Sequence, residues 1–298
     1  MGRRLDDLRT RPAALPAGRE PPLRLTVVPL SPLVSRYDQL ILDLDGCVYV
    51  GHEATPRAAE AIAALRDAQK GIAFVTNNPR HSGEEYVRKL WGLGIRASVA
   101  DVVTVGGAVQ HLLAETTQGA SAFVIGTAAF RQHVSDAGLR LLNDTDLATR
   151  ADVVVVAGTD ELTYEDLRVA VLALRRGAEF LATSRDPTYP MPDGLWPGTG
   201  AILAAVECGA GRTARVVGKP EPGLFHTALD RLGEGSTLVV GDRLDADVAA
   251  ARKAGLDAAL VLTGGTSAEE ATAEQAKAEK PLTVAADLAE LVLGPPAP

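Results

Sequence analysis

Cysteine is almost missing from this chain: Cys47 and Cys208 are the only two in 298 residues, too few to frame a disulfide-stapled fold. That usage fits a reducing compartment, so a cytoplasmic location is expected. No apolar run approaches the ~18–20 residues that span a bilayer, which leaves a membrane out of the expected partners. A basic surface is also lacking. The formal net charge is −8, which argues against nucleic acid, whose phosphates select positive patches. No Cys/His spacing points to zinc, and no internal repeat is visible.

What is present is an ordinary globular composition, 46% hydrophobic and 23% charged, long enough for one large domain or a domain with a sizeable insertion. The charge is uneven. Residues 1–36 hold seven arginines against three acids and six of the eighteen prolines, so the remainder carries −12. With no apolar core and cleavage site, that segment is a poor signal peptide and reads as a solvated tail over 1–35.

From Arg36 onward, strands and helices alternate, the mark of a parallel α/β sheet. Strands are expected at Leu40–Leu42, Ile72–Val75, Val102–Val105, Ala214–Val217, Thr237–Val240 and Ala258–Leu262, with helices between them, the last an acidic one over 267–279. Polar, small residues at 115–119 read as a linker. A second α/β series follows it, with strands at Ala122–Ile125, Val153–Val156 and Glu179–Ala182. It ends in a stretch, 183–190, dense in turn formers, and a helix entered through Gly198-Thr199-Gly200.

Four apolar strands end in chemistry. Leu40-Ile41-Leu42 runs into Asp43-Leu44-Asp45-Gly46, and Phe74-Val75 into Thr76-Asn77-Asn78. Arg215-Val216-Val217 is followed by Gly218-Lys219-Pro220, and Val239-Val240 by Gly241-Asp242, with Asp247 five residues on. In an open parallel sheet the carboxyl ends of the strands share one edge, where ligands bind. Three or four acids there would hold a hard cation such as Mg²⁺ through oxygen. A lysine and a hydroxyl would grip a phosphate.

This ordered set resembles the haloacid dehalogenase superfamily of phosphohydrolases, and within it the branch of NagD-like proteins, p-nitrophenyl phosphatases, phosphoglycolate phosphatases and glycerol-3-phosphate phosphatases. The match runs from about Arg36 to the C-terminus. It implies a Rossmann-like, doubly wound parallel core (36–115 and 209–298) with a large inserted α/β cap (116–208) that fixes substrate choice. It implies an Mg²⁺-dependent phosphatase acting on a small phosphate monoester of the glycerol-3-phosphate, phosphoglycolate or sugar-phosphate kind. Asp43 would be the nucleophile and form an aspartyl-phosphate; Asp45 would be the general acid and base. Thr76, Asn77, Asn78, Lys219 and the cap residue Asp186 would bind phosphate or substrate. The Mg²⁺ ligands implied are Asp43, Asp45 (through its carbonyl), Asp242 and Asp247. Three positions depart from the usual pattern: Ala246 stands where threonine is common, and Ser184-Arg185 where relatives often have Asn-Pro.

Alternatives on the same scaffold are a pyridoxal phosphate or nucleotide phosphatase, or an idle protein that only binds a metabolite. A helical cap between Asp43 and Thr76 has no room in 33 residues, which disfavours a phosphomutase. The partner expected is a small phosphorylated metabolite, and a homodimer through the cap is an option. Arg185 is weighed as a contact to a second substrate anion, and Cys47 as an oxidation-sensitive thiol, against plain surface and packing roles.

Overall fold

Successive residues of the first strand, β1 (Gln39–Asp43), face opposite ways. Leu40 and Leu42 join the core under one face of a sheet, and Ile41 joins the core over the other. The computed structural model that gives this arrangement describes residues 29–117, 119–277 and 282–295. After β1 come the short hairpin β2 (Tyr49–Val50) and β3 (Glu53–Ala54), then α1 (Ala58–Asp67), β4 (Gly71–Thr76), α2 (Gly83–Gly92), β5 (Val102–Thr104) and α3 (Val105–Thr116). A second series has β6 (Ser121–Ile125), α4 (Ala128–Asp136), β7 (Arg140–Leu141), β8 (Val153–Val156), α5 (Tyr164–Arg175) and β9 (Glu179–Ala182). It continues through the hairpin β10 (Thr188–Met191) and β11 (Gly194–Pro197), α6 (Thr199–Ala210) and β12 (Arg215–Val216). The chain returns through α7 (Gly223–Leu232), β13 (Thr237–Gly241), α8 (Ala249–Lys253), β14 (Asp257–Val261), α9 (Ala268–Lys277), β15 (Thr283–Ala285) and α10 (Leu288–Leu293).

The first sheet is parallel throughout, in the order β15-β14-β13-β1-β4-β5. From β1 the chain steps outward to β4 and β5, then comes back to the other side of β1 and steps outward again. The order therefore reverses between β1 and β13, and the crevice at such a reversal is where α/β sheets bind ligands. Helices α1, α2 and α10 cover one face, and α3, α7 and α8 the other. This is the doubly wound α/β fold expected.

The second sheet, β12-β9-β8-β6-β7, is also parallel. Its strands alternate as β1 does. Phe123, Ile125, Val154, Val156 and Phe180 pack under α5 and α6, whereas Ala122, Val124, Val153, Val155 and Leu181 face α3 and α4. That inner face and the α3 face of the first sheet form one continuous apolar cluster, with Val105, Val109 and Leu113 of α3 in its middle. Gly106 lets α4 come this close, since a Cβ there would meet the His133 ring at 2.6 Å.

Three expectations change. The strand around Arg215-Val216 pairs with β9 and so extends the second sheet, not the first. The turn-rich stretch after Thr183 runs on into a true hairpin, β10–β11, with Tyr189 opposite Trp196. The tail expected over 1–35 does not extend through its last residues. Ser31 N–H and Oγ bond to the carbonyls of Val292 and Leu291, each at 2.7 Å, and Val34 is buried against the same core. Residues 1–28 lie outside the described residues, as do the last two of the helix expected over 267–279.

Candidate active site

Asp43, Asp45, Thr76, Asn77, Asn78, Asp186, Lys219, Asp242 and Asp247 all line one crevice, at the carboxyl ends of β1, β4 and β13 and beneath the β10–β11 hairpin. Every site residue read from the sequence is therefore in one place. Lys219 is its hub. Only 2% exposed, its Nζ donates to Asp43 and, at 2.6 Å, to Asp247. Asn77 fixes the lysine's main chain. Its Oδ1 accepts from Lys219 N–H at 2.8 Å, and its Nδ2 donates to the Lys219 carbonyl at 3.0 Å. Glycine is required just before the lysine, because a Cβ on Gly218 would sit 2.5 Å from both Asn77 Oδ1 and the Thr183 carbonyl.

Asp45 is held apart from this group. One carboxylate oxygen accepts from Tyr49 Oη at 3.4 Å and lies 3.5 Å from Thr76 Oγ1; the other accepts from Asn78 Nδ2 at 3.3 Å. Thr76 Oγ1 in turn accepts from Asn78 N–H at 3.0 Å, so the Thr-Asn-Asn turn folds back on itself and presents three polar side chains to the crevice. Gly46, at φ +91°, carries the chain out of β1 with its α-carbon against Asp242, where a Cβ would stand 2.5 Å from Oδ2.

Asp43, Asp242 and Asp247 each offer a carboxylate oxygen within 4.8 Å of the others. Burial pushes Asp43 well above the usual carboxylate range against the pull of Lys219, and the two neighbouring acids push the same way. Burial, then Asp247, brings Asp242 up to about 7. Burial works against the Lys219 ammonium, but Asp247 and Asp43 outweigh it and raise its pKa, so the lysine stays charged. Three buried carboxylates around one ammonium leave an excess of negative charge, which a hard divalent cation offsets through oxygen ligands. Asp242 supplies a second sign of such an ion. Its Oδ2 accepts from Gly265 N–H at 2.5 Å, while its Oδ1 is buried with no hydrogen-bond partner among the described residues. The Asp45 carboxylate is not in this cluster.

Asp186 reaches in from the second series. Asn77 Nδ2 donates to it at 3.0 Å and Arg243 Nε lies 3.6 Å away, so its carboxylate ties the hairpin's entry to the loops that follow β4 and β13. Arg185 is not in the crevice; it pairs with Glu207 at 2.7 Å on the outside. Cys47 is fully buried, and burial pushes its thiol well up. Arg80 and Thr199, which sequence reading passed over, also line the crevice, as do Thr188 and Tyr189 of the hairpin. For the hairpin residues a signal did exist: Asp193-Gly194 is a hairpin-turn dipeptide.

Residues 40–140 match the haloacid dehalogenase-like hydrolase family, and 216–291 a second, HAD-hydrolase-like family. The chain is 39% identical over 240 residues to the D-glycerol 3-phosphate phosphatase of Mycobacterium tuberculosis, covering 80% of this chain and 67% of that one. It belongs to the haloacid dehalogenase-like hydrolases. An acid sugar phosphatase of Staphylococcus haemolyticus is 34% identical over 239 residues, 80% of this chain and 89% of its own. The crystal structure of the M. tuberculosis glycerol phosphate phosphatase in complex with magnesium superposes with a TM-score of 0.75 at 38% identity, over 86% of this chain and 77% of that one. Within this family of hydrolases the chain is a phosphoric monoester hydrolase. The sheet reversal that brings β1 and β13 together is the family's core.

Proposed function

We propose that the chain is an Mg²⁺-dependent phosphatase that hydrolyses a small polar phosphate monoester, of the glycerol-3-phosphate, phosphoglycolate or sugar-phosphate class, through an aspartyl-phosphate on Asp43. The observation that carries this reading is the Lys219 ammonium bonded to Asp43 and Asp247, beside an Asp242 whose Oδ1 is left without a partner. In this reading the buried cluster supplies the nucleophilic carboxylate, a cation for the phosphate and the ligands for Mg²⁺. The mycobacterial and staphylococcal relatives, named for glycerol 3-phosphate and sugar phosphates, support the substrate class.

In the first step an Asp43 carboxylate oxygen attacks phosphorus and the bond to the ester oxygen breaks. Asp45, next but one along the chain and held by Tyr49, Thr76 and Asn78, gives its proton to the departing alkoxide; it later takes one from the water that cleaves the acyl phosphate. Lys219 and Thr76 hold the phosphoryl oxygens as charge shifts between them. Asp43, Asp242 and Asp247 would hold Mg²⁺, which neutralises charge so that an anionic nucleophile can meet an anionic ester. Asp186 positions Asn77, and through it Lys219.

The second series, β6 to β12, acts as the cap in this reading. The crevice is small, about 50 Å³, and lined mostly by polar side chains, which favours a small polar ester. A panel of glycerol 3-phosphate, 2-phosphoglycolate, sugar phosphates, pyridoxal phosphate and nucleotides, assayed for phosphate release with Mg²⁺ and with a chelator, tests the proposal. Mg²⁺-dependent turnover of the small polar esters above the others is expected; no turnover of any of them would sink it.

A further inference from the structure

The loop that carries the Thr-Asn-Asn turn continues into Arg80, and this residue has no part in the chemistry described so far. Its guanidinium crosses from the first series to the second. One Nη donates to Asp160 at 3.0 Å, Cζ stands 4.5 Å from the centre of the Tyr189 ring, and the other Nη packs against Gly158, where a Cβ would lie 3.0 Å away. Stacking on a ring holds the plane of the guanidinium and leaves its edge N–H groups for acceptors. The side chain is only 13% exposed and lines the crevice, yet its Nε is buried with no hydrogen-bond partner among the described residues. An unmet buried donor is unfavourable unless something arrives to accept from it.

Its place relative to Asp45 says what arrives. The Asn78 side chain joins the two: Nδ2 donates to Asp45 at 3.3 Å, and Oδ1 accepts from the Arg80 backbone N–H at 3.1 Å. Asp45 is the group that protonates the leaving oxygen in the reading above, so the part of the substrate beyond that oxygen extends past Asn78 toward Arg80 and Tyr189. We propose that Arg80 is a specificity-determining residue. Its Nε–H recognises an oxygen of the leaving group, a hydroxyl or a carboxylate carried a carbon or two from the ester oxygen, and so selects polar esters over apolar ones of the same size. This inference rests on the phosphatase reading and deepens it.

The test compares matched esters. Glycerol 3-phosphate is set against n-propyl phosphate, which has the same carbon chain without hydroxyls, and 2-phosphoglycolate against ethyl phosphate. The ratio of kcat/KM within each pair is measured with Mg²⁺ for the unmodified chain and for Arg80→Met. A hydrogen bond to a charged donor is worth roughly 10- to 100-fold, so the unmodified chain should prefer at least one oxygen-bearing ester by that factor and Arg80→Met should bring the ratio close to one. The pair whose ratio collapses tells a hydroxyl from a carboxylate. Arg80→Lys keeps a cation near Tyr189 but loses the planar fork, and the same collapse is expected in it; it serves if the methionine variant does not fold. Turnover in which the ratios stay unchanged, or in which both members of a pair fall equally, overturns the inference and leaves the phosphatase reading standing. Absence of turnover of all four esters by the unmodified chain overturns both.

Discussion

Asn77 grips the main chain of Lys219 at both ends of the residue, accepting from its N–H at 2.8 Å and donating to its carbonyl at 3.0 Å, although the two stand 142 positions apart. The lysine's place beside Asp43 therefore depends on an amide that belongs to a different strand end.

Replacing that amide should be felt at the lysine. Asn77→Ala leaves the Lys219 N–H and carbonyl without partners in a buried site, at a cost of about 1–3 kcal/mol for each lost group. The Nζ shifts relative to the phosphoryl oxygens, and loss of one well-placed stabilising donor typically lowers kcat by ~10²–10³. The check is kcat alongside the thermal midpoint. A kcat within twofold of the unmodified chain would show that the clamp does not position Lys219.

Asp43→Asn removes the nucleophile while keeping nearly the same shape. Turnover should fall to background, since the two-step route through a covalent intermediate is lost and not merely slowed. Rapid quench and mass measurement of the unmodified chain should find a phosphorylated species that this variant lacks. Substantial Mg²⁺-dependent phosphate release by Asp43→Asn contradicts the role given to Asp43.

The acid cluster makes a prediction about pH. Burial raises Asp242 to about 7 and pushes Asp43 upward as well, so the folded, metal-free chain binds more protons than the unfolded one between the ordinary carboxylate range and neutrality. Its stability accordingly falls as pH rises through that window. Mg²⁺ competes with those protons, and its rise in thermal midpoint should be larger at about pH 8 than at about pH 5.5. Thermal melts with Mg²⁺ and with chelator at both pH values decide it; an equal or reversed effect would mean the carboxylates do not titrate as a metal site.

Cys47 should resist thiol reagents. Its Sγ is enclosed, with the Val240 carbonyl 3.8 Å away, and burial disfavours the thiolate that reacts. Cys208 is exposed. Peptide mapping after brief iodoacetamide treatment of the folded chain should find Cys208 modified and Cys47 free, with activity kept. Rapid labelling of Cys47 would restore the oxidation-switch reading.

The site was readable from sequence because each of its parts sits where a buried apolar strand stops, and apolar runs that end in acid, amide or lysine are visible without a structure. Asp43, Thr76 and Asp242 follow Leu42, Val75 and Gly241 directly. Lys219 was found by the same sign although β12 belongs to the other sheet: composition tells that a strand is buried but not which neighbour it pairs with. The hairpin β10–β11 was harder. Its exposed faces lack the period-two pattern, and Pro190 argues against a strand, so only Asp193-Gly194 marked it. Arg80 carried no sign at all. Its interest comes from Tyr189 and Asp160, 109 and 80 residues away, which folding alone brings to it.

The apolar cluster that α3 shares with both sheets sets where the molecule can open. Parting the sheets there would bring Val109, Leu113, Phe130 and Val155 into water, at about 25 cal/mol for each Å² bared. The far rim is closed mainly by polar contacts that water can replace, Asp186 against Asn77 and Arg243 and Arg80 against Asp160. Traffic of ester in and phosphate out should thus pass beneath the hairpin tip, with α3 serving as the fulcrum.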